Sequence, residues 1–415
     1  MRVLFQPRAL APTQNGGDRV ALQHLREALR PLGIESDIST DPTVNLAPYD
    51  LVHLFSLSDT RTSLRYFYNA VRQRKPFVTT PMYWRRNVRQ AFGRMLNDDP
   101  LSTRAEAVSL EFKQRAQQLI LTHARRVLPM SQSEGNLLHE DFGVPDSKQC
   151  VTYLGVDPIF SQVPDTAFSS IFPARDFVLC VARICISKNQ LGLVRSWRNE
   201  TTPLVLIGQP EDQAYLEQCR RAAGDNVKIL PPLSTPQIVA AYRAAKVHVL
   251  ASWWEEVGLS ALEAAVCGCN LVMTQNGPAR EYFHDPVWMC DPADESSIRA
   301  AIKDALAAPR SPEWSEWVRE TYTWERCAAA HRDAYRAVLA ENVAPAKYDI
   351  NECELEELAI TLGELLTLKE NHAHDVTERL YAGSQWAREL EAQIRARDRE
   401  LAWMNRPAMW LRRVR

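Results

Sequence analysis

The segment W-W-E-E-V-G-L-S-A-L-E-A-A-V-C-G-C-N, residues 253–270, sets Glu255 and Glu263 on either side of a Val257-Gly258-Leu259 step, directly after the apolar run V-H-V-L-A-S. Carboxylates accept hydrogen bonds from hydroxyls, and a helix starting near Gly258 would place Glu255 ahead of it and Glu263 in its second turn. Were all eight steps helical, the two would stand about 12 Å apart along the axis and about 80° apart around it. They could not grip one atom, but they could hold two ends of an elongated ligand. Between them, the free N–H groups at Val257, Gly258 and Leu259 would form an anion site, with Gly258 letting the backbone approach. Carboxylate, anion site, carboxylate suits a sugar, a diphosphate and a ribose. The competing reading is an acidic first turn that only favours the helix dipole, with A-L-E-A-A as helix-forming filler. This segment alone does not separate the two.

Arg183 and Lys188 do. Both follow the apolar run F-V-L-C-V-A, where two cations would neutralise a diphosphate as charge develops on it. The elements that must position these groups alternate between strand and helix patterns. R-V-L-F-Q-P reads as a strand. G-G-D-R-V-A-L-Q-H-L-R-E-A-L-R-P-L-G comes next as a helix, with Val20, Leu25, Ala28, Leu29 and Leu32 at near-helical spacing. D-L-V-H-L-F, K-P-F-V-T-T and R-R-V-L-P-M-S are further buried strands. A second series starts at D-F-V-L-C-V-A and continues through P-L-V-L-I-G, N-V-K-I-L, K-V-H-V-L-A and N-L-V-M-T. Two doubly wound α/β domains in tandem account for this pattern, with a boundary near V-D-P-I-F-S-Q-V-P-D and ligand-binding loops at the carboxyl ends of the strands.

Composition bounds the function. The chain has 415 residues, 46% hydrophobic and 24% charged, with a formal net charge of -2, which argues against bulk nucleic-acid binding. No run approaches the roughly 20 apolar residues that span a bilayer. The expected location is therefore cytoplasmic, at most peripheral on the inner face of the plasma membrane. The nine cysteines sit mostly in apolar segments, as in a reducing compartment. Cys267-Gly-Cys269 lacks the second pair that a metal site needs, so no metal is expected. No G-x-G occurs, which removes the usual dinucleotide fingerprint. Residues 60–97 carry Arg61, Arg65, Arg72, Arg74, Lys75, Arg85, Arg86, Arg89 and Arg94 among aromatics, with no acid. They read either as a surface for an anionic membrane or lipid-linked diphosphate, or as a solvated face whose aromatics enter the core. After about residue 345, an apolar stripe from Val376 to Met404 steps by fours and threes and precedes a tail with four arginines. This is the pattern of a coiled coil for homo-oligomerisation or of an amphipathic membrane helix.

Taken in order, Gly16-Gly17 after the first strand, L-G-V-D-P-I-F at 154–160, V-A-R-I-C-I-S-K-N-Q at 181–190, the E-x7-E pair, Gly268 and T-Q-N-G-P-A-R-E ending at Glu281 resemble the retaining GT-B glycosyltransferases of the group-1, family-4 type. The resemblance covers roughly residues 1–340. It implies an α/β GT-B fold of two Rossmann-like domains facing a cleft, an acceptor domain at 1–165 and a nucleotide-sugar domain at 166–322. A helix at 323–344 would cross back to the first domain, and a helical or coiled-coil extension would occupy 345–415. By the same resemblance Arg183 and Lys188 would bind the donor diphosphate, Glu255 would face the transferred sugar, Glu263 would hold the ribose, and the Gly16-Gly17 loop would close over the diphosphate.

The implied reaction moves a hexose, with mannose as the candidate, from a nucleoside-diphosphate sugar to a glycan or lipid-linked glycan in cell-surface polysaccharide synthesis. It needs no metal or separate cofactor, and the absence of any D-x-D agrees. Some relatives place a histidine near the sugar, but T-T-P-M-Y-W-R-R has none. His53 and His123 read as core histidines, so no general base is assigned. The alternatives are a sugar-nucleotide epimerase of the same fold and a non-catalytic scaffold acting through the C-terminal helix.

Overall fold

The computed structural model describes residues 1–8, 17–85, 100–162, 171–172, 174–283 and 286–341. Gly16, part of the basic stretch (Arg86, Arg89 and Arg94) and the whole 345–415 extension lie outside the described residues. Two parallel sheets form the body. The first contains β1 (Arg2–Gln6), β2 (Glu35–Ile38), β3 (Leu51–Phe55), β4 (Phe77–Thr80) and β5 (Arg126–Val127) in the order β2-β1-β3-β4-β5. The second contains β6 (Val178–Val181), β7 (Leu204–Ile207), β8 (Val227–Leu230), β9 (Val247–Leu250), β10 (Asn270–Thr274) and β11 (Val287–Cys290) in the order β11-β10-β9-β6-β7-β8. Central strands such as L-V-L-I and V-H-V-L are buried along their whole length, as a parallel sheet covered on both faces requires. The edge strand E-S-D-I is polar and more exposed, which leaves little apolar edge for another chain to pair with.

Four helices position the loops of interest: α1 (Gly17–Leu29), α2 (Gln132–Phe142), α3 (Leu259–Val266) and α4 (Trp324–Ala340). Helix α4 comes after the second sheet in the chain, yet its buried Trp324, Cys327, Ala328, Ala334, Tyr335 and Val338 join Val3, Phe5, Leu22, Leu25 and Leu29 in the core of the first. The two stretches of chain that connect the sheets run side by side: Val156 donates its N–H to Tyr322 O at 3.0 Å. A Cβ on Gly155 would lie 2.3 Å from the Trp324 nitrogen, so only glycine lets the connections approach this closely. His53 is fully buried on β3, with Nδ1 2.7 Å from Tyr335 Oη and Nε2 3.0 Å from Thr80 Oγ1. Burial pushes its pKa well down, and both ring nitrogens are satisfied, so it is a core histidine. Within the described part of the arginine-rich stretch, Tyr66, Phe67, Phe77 and Tyr83 are buried, and Arg85 pairs with Glu140 and Asp141. Those aromatics therefore serve the core. Among the described residues no helix is long and apolar enough to cross a membrane.

Candidate functional site

The second sheet reverses its winding between β6 and β9, the position at which doubly wound sheets leave a crevice. Backbone pairing there covers only Val178↔Val247 and Leu179↔His248. Beyond it, the Val181 N–H meets His248 Nε2 at 3.4 Å. The imidazole stands between the strands as they diverge, and burial pushes its pKa down to about 3, so the ring is neutral and can accept that bond. The loops leaving β6 and β9 therefore face one opening.

On the β6 side, Arg183 pairs with Glu211 at 2.8 Å, and Ile186–Lys188 forms a short 3-10 turn. Asn189 ends that turn in the left-handed region, at φ 53°. Its amide donates to Ala251 O at 3.1 Å and Pro292 O at 2.8 Å, tying the turn to the ends of β9 and β11. On the β9 side, Trp253 N–H donates to Ser187 O at 3.0 Å. These ties bring Lys188 Nζ to 2.6 Å from Glu255 Oε2, and Ser252 Oγ donates to the same oxygen at 2.9 Å. A loop from the end of β10 backs Glu255: its N–H donates to Asn276 O at 3.1 Å. Gly277, at φ 132°, lies so close that a Cβ would sit 1.9 Å from Glu255 O.

Helix α3 starts at Leu259, one residue after Gly258, so only the last half of the Glu255–Glu263 interval is helical. Gly258 has φ 70°, and a Cβ there would meet Leu250 Cδ1 at 2.9 Å, so both backbone and space call for glycine. Val257 is buried beneath the turn. Within the first turn of α3 the Ala261 N–H already donates to Gly258 O at 2.7 Å, so the Leu259 and Ser260 amides, ahead of it at the positive end of the helix, are the ones left for an anion. Glu263, one turn in, accepts from Tyr242 Oη at 2.9 Å. Desolvation, reinforced by the Asp157 charge, pushes its carboxyl up to about 8, although the Tyr242 bond acts the other way. Gly17, at the start of α1, faces the same place from the first sheet: a Cβ on it would be 3.6 Å from Leu259 Cδ1. The structure thus brings Lys188 to Glu255 and Gly17 to Leu259 of the Val257-Gly258-Leu259 turn, with Arg183 ahead of Lys188 on the β6 loop and Glu263 in the second turn of α3, whereas Gly16 lies outside the described residues.

Sequence reasoning missed Glu211 and Tyr242, which stand 28 and 21 positions from their partners, and it gives no role to Ser252 or Asp157, although both lie inside the V-H-V-L-A-S and L-G-V-D-P-I-F runs. The two thiols of Cys267-Gly-Cys269 donate to backbone carbonyls, Cys267 to Phe160 O at 3.3 Å and Cys269 to Tyr242 O at 2.9 Å. Away from these loops, a cavity of about 410 Å³ is lined by Arg125, Arg126, Lys148 and Glu341. Lys148 donates there to the Leu121 and Thr122 carbonyls, which completes the end of the Pro100–His123 helix.

Residues 165–322 match the family model described as Glycosyl transferases group 1. The chain is 33% identical over 125 residues to a D-inositol 3-phosphate glycosyltransferase of Pseudarthrobacter chlorophenolicus, a match that covers 29% of this chain and 30% of that one. It thus spans about a third of the length of that relative. Among solved structures, a sucrose-phosphate synthase from Thermosynechococcus elongatus superposes with a TM-score of 0.64 at 19% identity, over 82% of this chain and 99% of that one. Anabaena Alr3699/HepE in complex with UDP and glucose superposes with a TM-score of 0.58 at 16% identity, over 81% and 100%. The fold is GT-B.

Proposed function

We propose, for a chain whose residues 165–322 match the group 1 glycosyl transferase family, that it transfers a sugar from a nucleoside-diphosphate donor to a hydroxyl of a glycan or lipid-linked glycan. The observation that carries this reading is the convergence of Lys188, Glu255 and the α3 N-terminus on the opening between β6 and β9. The donor diphosphate would lie over the α3 amides with Lys188 and Arg183 beside it, the sugar toward Glu255 and the ribose toward Glu263. Lys188 now spends its charge on Glu255; an arriving diphosphate would share it, leaving Glu255 to accept from sugar hydroxyls.

The finer reading is a retaining, metal-independent transfer. The bond from the anomeric carbon to the phosphate oxygen breaks, and the acceptor oxygen bonds to the same face. The acceptor proton passes to the leaving phosphate oxygen. Two cations and a helix N-terminus would stabilise the departing charge in place of a metal. A hexose, with mannose as the candidate, and a role in cell-surface polysaccharide synthesis rest on the sequence resemblance alone. The stripe from 376 to 404 would serve membrane docking or self-association, which truncation after Ala344, read by liposome flotation and light scattering, would separate from transfer.

The test is a panel of UDP-, GDP- and ADP-sugars, GDP-mannose included, offered with glycan acceptors in excess EDTA. One donor is expected to release its nucleoside diphosphate in step with acceptor glycosylation. Conversion of the donor to an isomeric nucleotide sugar without net release of nucleoside diphosphate would point to epimerisation, and no turnover of any donor would refute the reading.

A further inference from the structure

The motif T-Q-N-G-P-A-R-E ends in Glu281, a carboxylate that is not among the proposed donor contacts. Glu281 lies after β10, yet it reaches the first amides of α2, which comes after the first sheet. Its Oε1 accepts the Gln132 N–H at 2.5 Å and Tyr153 Oη at 2.7 Å; its Oε2 accepts the Ser133 N–H at 2.8 Å and Ser133 Oγ at 2.6 Å. Four donors occupy the accepting capacity of one carboxylate. Two of them are helix amides with no intrahelical acceptor, at the end of the dipole that favours negative charge.

A second carboxylate works the other side of the same turn. Glu134 is buried, and it accepts the Met130 N–H at 2.7 Å and the Tyr83 N–H at 2.9 Å. Tyr83 belongs to the loop that leaves β4, and the next residue, Trp84, places its ring 6.4 Å from that of Trp254, beside Glu255. From Glu281 back toward the donor loops, Gly277 and Asn276 press on the backbone of Glu255. A closed path therefore runs from Glu255 through residues 276–281, across the α2 N-terminus to Glu134 and the β4 loop, and back through the two indoles.

We propose that Glu281 is a positioning residue that fixes α2, and through it the β4 loop on the first-sheet side of the opening, against the loops that hold Glu255. This inference rests on the proposed transfer reaction. It separates two effects: loss of Glu281 should misalign the acceptor without weakening the donor nucleotide, because the proposed donor contacts of the second domain do not include it.

The test compares full-length protein with its Glu281→Gln and Glu281→Ala variants. Tyr282, whose Oη donates to Met130 O and accepts the Leu154 N–H, keeps the neighbouring contacts in both. Amide hydrogen exchange at Gln132 and Ser133 is expected to rise in Glu281→Ala. Its kcat for transfer is expected to fall about tenfold, and nucleoside-diphosphate Kd to stay within about twofold. Glu281→Gln, which keeps an accepting oxygen, is expected to lie between. Unchanged exchange, or faster exchange with unchanged transfer, would overturn the proposal, as would a nucleotide Kd that weakens in step with kcat. If the unaltered chain bound no nucleotide, the functional reading would fail, and the exchange result would judge the tether separately.

Discussion

Glu255 and Glu263 are the same residue type eight positions apart, and the fold gives them opposite surroundings. Glu255 faces an ammonium and a hydroxyl on one oxygen, whereas Glu263 faces a phenol in a desolvated corner with a second acid, Asp157, nearby. The second environment disfavours a charged carboxylate. A repeated side chain in a short motif therefore does not imply a repeated role.

The largest effect should come from the two cations. Lys188→Ala and Arg183→Ala are each expected to lower turnover by about a hundredfold, read by steady-state kinetics with circular dichroism to check folding. Near-normal turnover in both would remove the diphosphate site. Glu255→Gln keeps an acceptor for Ser252 but ends the ion pair. It is expected to reduce kcat by about tenfold or more with little change in donor Kd, and a loss confined to Kd would move Glu255 from the sugar to the nucleotide. Glu263→Gln should do the reverse, raising donor KM by several-fold, on the order of a lost hydrogen bond to ribose, with kcat nearly kept.

The smallest effect is on stability, and it has a sign. The Glu263 carboxyl is raised from 4.5 to about 8, so between those values the folded chain holds a proton that the unfolded chain releases. Its contribution to stability therefore falls as pH rises through that window. Glu263→Gln removes the dependence. Thermal unfolding of the variant should match the parent near pH 4.5 and exceed it by about 2–4 °C at pH 8. Equal midpoints at both pH values would mean that Glu263 is not desolvated as described.

The alternation of strands and helices was legible because parallel strands covered on both faces read as unbroken apolar runs, as in V-H-V-L and F-V-L-C-V-A. The E-x7-E pair and the two cations could be picked out by type and by their place after those runs. What pairs with them could not. Tyr242 is 21 positions before Glu263, and Glu211 is 28 after Arg183; the winding of the sheet, rather than local spacing, brings them together. His248 at the fork between β6 and β9 looked like one more strand residue, since nothing in V-H-V-L distinguishes a ring that faces a neighbouring strand amide. The role of Glu281 across 148 positions of sequence has the same origin.

The central claim is that the opening between β6 and β9 holds a nucleoside diphosphate against Lys188 and the α3 amides. Titrating the full chain and its Lys188→Ala variant with UDP, GDP and ADP by calorimetry in EDTA tests it most directly. Saturable binding of one nucleotide, weakened at least about tenfold by the substitution, is the expected result; binding of none, or binding that ignores the loss of Lys188, would contradict it.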